Sequence, residues 1–168
     1  MPSFVCVSCN QLHAGLPELA AAEPYFVEDL LPASKSKVER LGSEICVFRD
    51  GEVRHFFVRG ALRIPISGTN ETWSYAAWVS LSAESFAGVA DVAEGTNPSG
   101  SFFGWFQSAL PGWPETLSLK STLHVSTNQR PFIELEPTDH PLSLAQRAGL
   151  PLLRILELVD PVLHPKRR

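Results

Sequence analysis

From Ile45 to Glu136 the chain reads as strand after strand, and only one stretch between them has helical periodicity. Parallel neighbours would need a crossover of a dozen or more residues between most pairs, usually a helix. Those helices are missing, so the pattern predicts an α+β fold with a mainly antiparallel sheet and a few short helices. The hairpin signal is clearest at Ile45 to Arg49 and Val53 to Arg59, joined by Asp50-Gly51, a dipeptide suited to the positive backbone angles of a type I′ turn. Gly60 is expected to break or bulge its strand, and Pro65 to sit at an edge.

Trp73 to Leu81 reads as a central strand, apolar on both faces, and Ser82 as the cap of the inserted helix, with Phe86, Val89, Ala90 and Ala93 along one side. After a loop at Gly95 to Gly100, Phe102 to Phe106 is expected as a strand interrupted by Gly104. Leu117, Leu119, Leu123 and Val125 then alternate with Ser118, Lys120, Thr122, His124 and Ser126, one face inward and one toward solvent. Ile133 and Leu135 repeat the scheme opposite Glu134 and Glu136. Near the start, Phe4 to Val7 suggests a short strand. Glu18 to Ala22 and Pro24 to Leu31 suggest helical turns, and Ser36 to Glu39 has capping-box spacing. Pro151 opens a helix whose stripe is Leu152, Ile155, Leu156 and Val159.

The 168 residues suffice for one domain with a sizeable core. The expected division is a cysteine-knuckle segment at 1–17, an antiparallel sheet core with one inserted helix at 44–136, a C-terminal helical segment at 138–160 and a tail at 161–168. A net charge of -4 speaks against a nucleic-acid surface, which needs clustered Lys and Arg, and the basic run Lys166-Arg167-Arg168 is confined to the tail. No window approaches the apolar length of a membrane helix. Three cysteines and no leader-like segment fit a cytoplasmic protein whose thiols are reduced or metal-bound.

Cys6-Val7-Ser8-Cys9 followed by His13 carries the main chemical signal. Two thiols two residues apart can turn onto one tetrahedral ion, and His13 and Cys46 complete a ligand set that suits structural zinc. His140 or His164 could replace His13 as the fourth ligand. Asn10, directly after Cys9, occupies a position that in such knuckles often takes a left-handed conformation, which Asn tolerates. The competing readings are that Cys6 and Cys46 are plain buried thiols with His13 at the surface, or that Cys6 and Cys9 form a redox dithiol.

Asp139-His140-Pro141 precedes a helical stretch. It reads either as a general base or ligand, or as a helix start that Thr138 or Asp139 caps while His140 packs against it. Trp73, Trp78, Trp105 and Trp113, with Phe102, Phe103 and Phe106, either line a groove with Arg59 and Arg63 or build the core. Trp73 and Trp78 have opposite parity, so they cannot face the same side of a regular strand. The chain has no phosphate loop, no dinucleotide fingerprint, no Gly-x-Ser-x-Gly elbow and no His-Glu-x-x-His helix.

Taken together, Phe4-x-Cys6-x-x-Cys9, His13, Leu16-Pro17, Cys46-Val47, Phe56-Phe57-Val58-Arg59-Gly60 and Trp78-Val79-Ser80-Leu81-Ser82 resemble a bacterial family. So do Phe103-Gly104-Trp105, Thr116-Leu117-x-Leu119-Lys120, Arg130-Pro131 and Leu135-Glu136-Pro137-Thr138-Asp139-His140-Pro141-Leu142. The family is domain of unknown function 2199. Its knuckle usually has Gly where this chain has Asn10, and it often has Tyr in place of Trp113. The resemblance implies a small bacterial protein with no assigned activity. The expected function is a non-enzymatic, zinc-stabilised binding or interaction protein with a protein partner, no nucleic acid and no membrane. The alternative is a hydrolase-like, metal-dependent enzyme using the Cys/His site with Asp139 and His140.

Overall fold

The structure, a computed structural model, describes residues 3–30 and 37–165. A two-stranded hairpin, β1 (Ser3–Val5) and β2 (Leu12–Ala14), precedes β3 (Leu19–Ala20), the short helix α1 (Tyr25–Leu30) and β4 (Val38–Leu41). Then come β5 (Ile45–Asp50), β6 (Val53–Pro65), β7 (Thr72–Leu81), helix α2 (Ala83–Ala93), β8 (Ser99–Phe106), β9 (Lys120–Ser126) and β10 (Gln129–Leu135). Helices α3 (Pro141–Ala148) and α4 (Leu152–Leu163) follow. The α+β class and the dominance of antiparallel pairing are as the sequence pattern predicts.

Five strands close a ring. β6 pairs with β7, β7 with β8, β8 with β9 and β9 with β10, all antiparallel, and β10 returns to β6. That last pairing, at Phe132↔Ala61 and Ile133↔Leu62, is parallel. It must be, because an odd number of alternating strands brings the first and fifth into the same direction. The three strands between them supply the crossover that a helix would otherwise provide.

β6 and β7 are long enough to pair with three strands each. β6 pairs with β5 up to Val58 and with β10 from Ala61 along the same edge. Gly60 sits at the handover. A Cβ there would lie 3.1 Å from Pro131 O and 3.2 Å from both Ile133 Cγ1 and Leu123 Cδ1. The glycine therefore permits close approach across the ring and does not break the strand, contrary to the sequence expectation. Gly104 likewise leaves β8 unbroken: a Cβ there would meet Ser80 O at 2.9 Å.

The alternation along β6 and β7 feeds two clusters. Leu62, Ile64, Trp73, Tyr75 and Val79 join Phe106, Leu123 and Ile133 in the main core. On the opposite side Cys46, Phe48, Phe57 and Trp78 pack with Val27. The two tryptophans of opposite parity thus end in different clusters, each almost fully buried. A buried side chain of this size contributes about 1.5–3 kcal/mol, so both clusters matter to stability.

Other expectations need correction. Glu18 to Ala22 is not helical: Leu19 and Ala20 pair in parallel with Tyr75 and Ala76 of β7. Trp73 Nε1 donates to Pro17 O at 2.8 Å and Trp78 Nε1 to Ala21 O at 3.0 Å, so two indoles hold this segment extended. Val38–Leu41 is a strand against β5, not the start of a helix, while Ser36 lies outside the described residues. β1 ends at Val5, and Leu117 and Leu119 precede β9. α4 runs on through Pro161 to Leu163, into the segment expected to be a tail. Ser82 caps α2 as predicted, its Oγ accepting from Ser85 N at 3.1 Å. Among the described residues no helix is long and apolar enough to cross a membrane.

Candidate metal centre

The β1–β2 hairpin is built around its cysteines. Phe4 lies opposite His13 in the register, and the ladder ends at Val5↔Leu12. Cys6 to Gln11 then form the turn, closed by Asn10 N donating to Cys6 O at 2.8 Å and Cys6 N to Gln11 O at 2.9 Å. Reversing the chain so tightly after Cys9 needs one left-handed residue, and Asn10 supplies it with φ 56°. Both sulfurs thereby come to one side of the hairpin.

His13 reaches the same place from β2. Its ring stacks on Phe4, centroids 5.4 Å apart, and its Nε2 lies 3.3 Å from Cys9 Sγ. The fourth member comes from the other end of the chain. His164 follows the last turn of α4, where its backbone N–H donates to Asp160 O, and its Nε2 lies 2.9 Å from Cys6 Sγ. The sulfurs of Cys6 and Cys9 and a ring nitrogen each of His13 and His164 all lie within 4.8 Å of one another. Cys6 is buried and the other three are half-buried. Ser8 Oγ adds a tie to the helix, donating to Asp160 Oδ1 at 2.5 Å.

Zinc bond lengths of ~2.3 Å to sulfur and ~2.0–2.1 Å to nitrogen place tetrahedral ligand atoms about 3.3–3.8 Å apart. The four atoms lie close enough for one ion to gather them, although the Cys6–His164 contact at 2.9 Å is about 0.6 Å, and the Cys9–His13 contact at 3.3 Å about 0.2 Å, shorter than a zinc-bound pair would be. This Cys2His2 group could hold a metal ion. Two thiolates would also neutralise a divalent cation, which suits a site withdrawn from water.

The thiol of Cys6 is poised for that role. Burial raises its pKa, but amide hydrogen bonds from Cys9 and Ser8 and side-chain hydrogen bonds with His164 and Cys9 outweigh it, drawing it from 9.0 down to about 7.

The structure brings Cys6, Cys9 and His13 together and leaves Cys46 and His140 out of this group. Cys46 lies on β5 within the apolar cluster of Val27, Phe48, Phe57 and Trp78, where burial pushes its thiol up. His140 caps α3. Its Nδ1 accepts from Leu142 N at 3.1 Å and its Nε2 donates to Glu115 O at 2.8 Å, so backbone groups take both ring nitrogens. The cap expected of Thr138 or Asp139 is thus made by His140 itself. His164, weighed as a replacement for His13, instead joins it and takes the place expected for Cys46.

A polar ladder that the sequence pattern did not single out crosses the outer face of β8, β9 and β10. Ser101 Oγ lies 2.8 Å from His124 Nδ1, and the imidazole stacks on Phe132. His124 Nε2 is buried without a hydrogen bond, although a Glu134 oxygen lies 3.3 Å away. A serine–histidine–carboxylate order is present, but the acid is not in line to orient the imidazole as a catalytic triad requires. Only the pairing register Ser101↔His124 and Phe132↔His124 reveals this ladder, and register is a tertiary property.

Two of the aromatics considered for a groove stay at the surface. Phe103 and Trp105 of β8 are 51% and 42% exposed and meet edge to face.

Comparison with known proteins gives one match. The family described as "Uncharacterized protein conserved in bacteria (DUF2199)" matches residues 5–150. That span includes Cys6, Cys9 and His13 and ends before α4 and His164. No curated protein and no solved structure matches.

Proposed function

The chain belongs to this uncharacterised family conserved in bacteria, and we propose that it is a non-enzymatic binding protein whose ends are stapled by structural zinc. The ligands are Cys6, Cys9, His13 and His164. One observation carries the reading: four protein donors, two thiols and two imidazoles, converge from the N-terminal hairpin and the C-terminal helix. Four such donors fill a tetrahedral shell. A catalytic zinc keeps one position for water or substrate, and no such position remains here. The hydrolase-like alternative also needed His140 as acid or base, and backbone partners occupy its ring. Zinc fits better than a harder cation because the donors are sulfur and nitrogen.

The staple adds to the packing of Phe4, Cys6 and Leu16 in the main core. The hairpin has only three residue pairs, and a two-stranded ribbon alone is marginal in water. Tied to α4, it becomes one wall of a body whose remaining surface, including Phe103 and Trp105, is free to meet a protein partner.

Elemental analysis of untagged protein purified without added metal tests the proposal. About one zinc per chain is expected, falling to near zero in His164→Ala together with a lower melting temperature. A wild-type protein without zinc that melts identically with and without a chelator would sink the idea.

A further inference from the structure

A hollow lies between segment 18–25, the loop 108–111 and α4. Its volume is about 640 Å³. That is within the ~300–1,000 Å³ range of small-molecule sites. Leu19, Leu110, Leu158, Pro161 and Val162 give it a mainly apolar lining.

Two buried hydroxyls interrupt this wall. Tyr75 is 2% and Ser108 1% exposed, and both line the hollow. Each already accepts a hydrogen bond: Trp113 Nε1 donates to Tyr75 Oη at 2.9 Å, and Trp78 N to Ser108 Oγ at 3.0 Å. Among the described residues neither hydroxyl donates to a protein acceptor. Their hydrogens are the unused donors of the site, and a buried donor left unmade is costly. The two carboxylates at its margin are already engaged, Glu18 with Arg130 and Glu23 with Arg40. They supply no free counter-charge for a cation, and they disfavour an anion.

We infer that this hollow is a binding site for a small, neutral, mainly apolar molecule bearing a hydrogen-bond acceptor such as a ketone or ester carbonyl. The carbonyl takes the Tyr75 and Ser108 hydroxyls, and the hydrocarbon part lies against Leu110 and the α4 residues. The inference deepens the binding-protein reading, because Leu158, Pro161 and Val162 belong to the helix that the His164 ligand holds in place.

The test uses Nile red, a neutral dye with a ring carbonyl, as fluorescent probe on full-length zinc-loaded protein, with 2-nonanone and nonanoate as competitors. Saturable one-site binding is expected, displaced by 2-nonanone and at least tenfold less well by nonanoate. Ala109→Trp, which fills the hollow from its rim, should abolish binding at an unchanged melting temperature. Tyr75→Phe should weaken the ketone about tenfold or less, the worth of one neutral hydrogen bond. Absence of saturable binding, or binding that survives Ala109→Trp, or equal competition by nonanoate, would overturn the inference. Repeating the titration on chelated protein separates it from the zinc proposal. Binding with unchanged affinity and melting after chelation leaves the cavity standing and removes the staple, whereas binding lost only on chelation supports both.

Discussion

Cys6 and Cys46 are the same side chain in two buried places, and the fold gives them opposite characters. Around Cys6 the backbone turns two amides toward the sulfur and His164 approaches within 2.9 Å, so the thiolate is favoured and the pKa falls to about 7. Around Cys46 the neighbours are Val27, Phe48, Phe57 and Trp78, and burial without comparable donors pushes the thiol up. Accessible surface does not distinguish them, since both are nearly covered, although Cys46 lies deeper. What also differs is the supply of hydrogen bonds to the charged form. One region is organised to hold an anion and the metal it would bind; in the other, burial keeps the thiol neutral, with Arg40 opposing and Glu23 adding to the shift.

The widest gap between the regions should appear on substitution. Cys6→Ala should release the metal entirely and lower stability by about 3 kcal/mol or more, because metal binding free energy is folding free energy. Cys46→Ala should keep a full metal complement and cost about 1–2 kcal/mol, the transfer and cavity terms of one buried sulfur. Metal analysis and denaturant unfolding of the two variants read both numbers, and equal metal loss in both would erase the contrast.

Alkylation of chelated protein sharpens the same comparison. A thiol lowered to about 7 is half ionised at pH 7, so Cys6 should react with iodoacetamide faster than Cys46. Its rate should rise through pH 7 and level off by pH 9. Cys46, shifted upward, should stay unreactive across that window until the protein unfolds. Peptide mapping after timed quenching distinguishes the two, and matching profiles would show that the hydrogen bonds at Cys6 are not made in solution.

Asn10 offers the smallest and most local probe. Asn10→Gly keeps the left-handed turn at no steric cost and should change stability by less than about 1 kcal/mol with zinc retained. Asn10→Val, whose branched Cβ opposes φ 56°, should weaken zinc binding while leaving the Cys46 cluster untouched. Competition with a chromophoric chelator gives the affinities. A Val variant with wild-type affinity would mean that the turn does not set the sulfur positions.

Much of the fold was legible where short-range chemistry decides. The β5–β6 hairpin, the Ser82 cap and the left-handed Asn10 follow from backbone preferences acting over a few residues, and each is found. The hairpin turn is made by Gly51 and Glu52, however, with Asp50 paired to Val53 and only Gly51 at positive φ, and is not the expected Asp50-Gly51 type I′ turn. Opposite parity sent Trp73 and Trp78 to different clusters for the same reason. The segment 18–22 misled because its alanines favour a helix in isolation, whereas two indole N–H groups from β7 hold its backbone extended. Ring closure was also out of reach, since it rests on the β10–β6 pairing of just two residue pairs far apart in the chain.

The candidate site divides along the same line. The sequence by itself determined the knuckle, because Cys6, Cys9, Asn10 and His13 are bound to one another by the reach of a single turn and hairpin. Only the tertiary structure decided the fourth donor. Spacing treats Cys46 and His164 alike, as distant residues able to coordinate, and packing separates them. β5 faces Cys46 into an apolar cluster, while the buried stripe of Ile155, Leu158 and Val159 docks α4 so that its end delivers His164, 158 residues from Cys6, to the sulfurs.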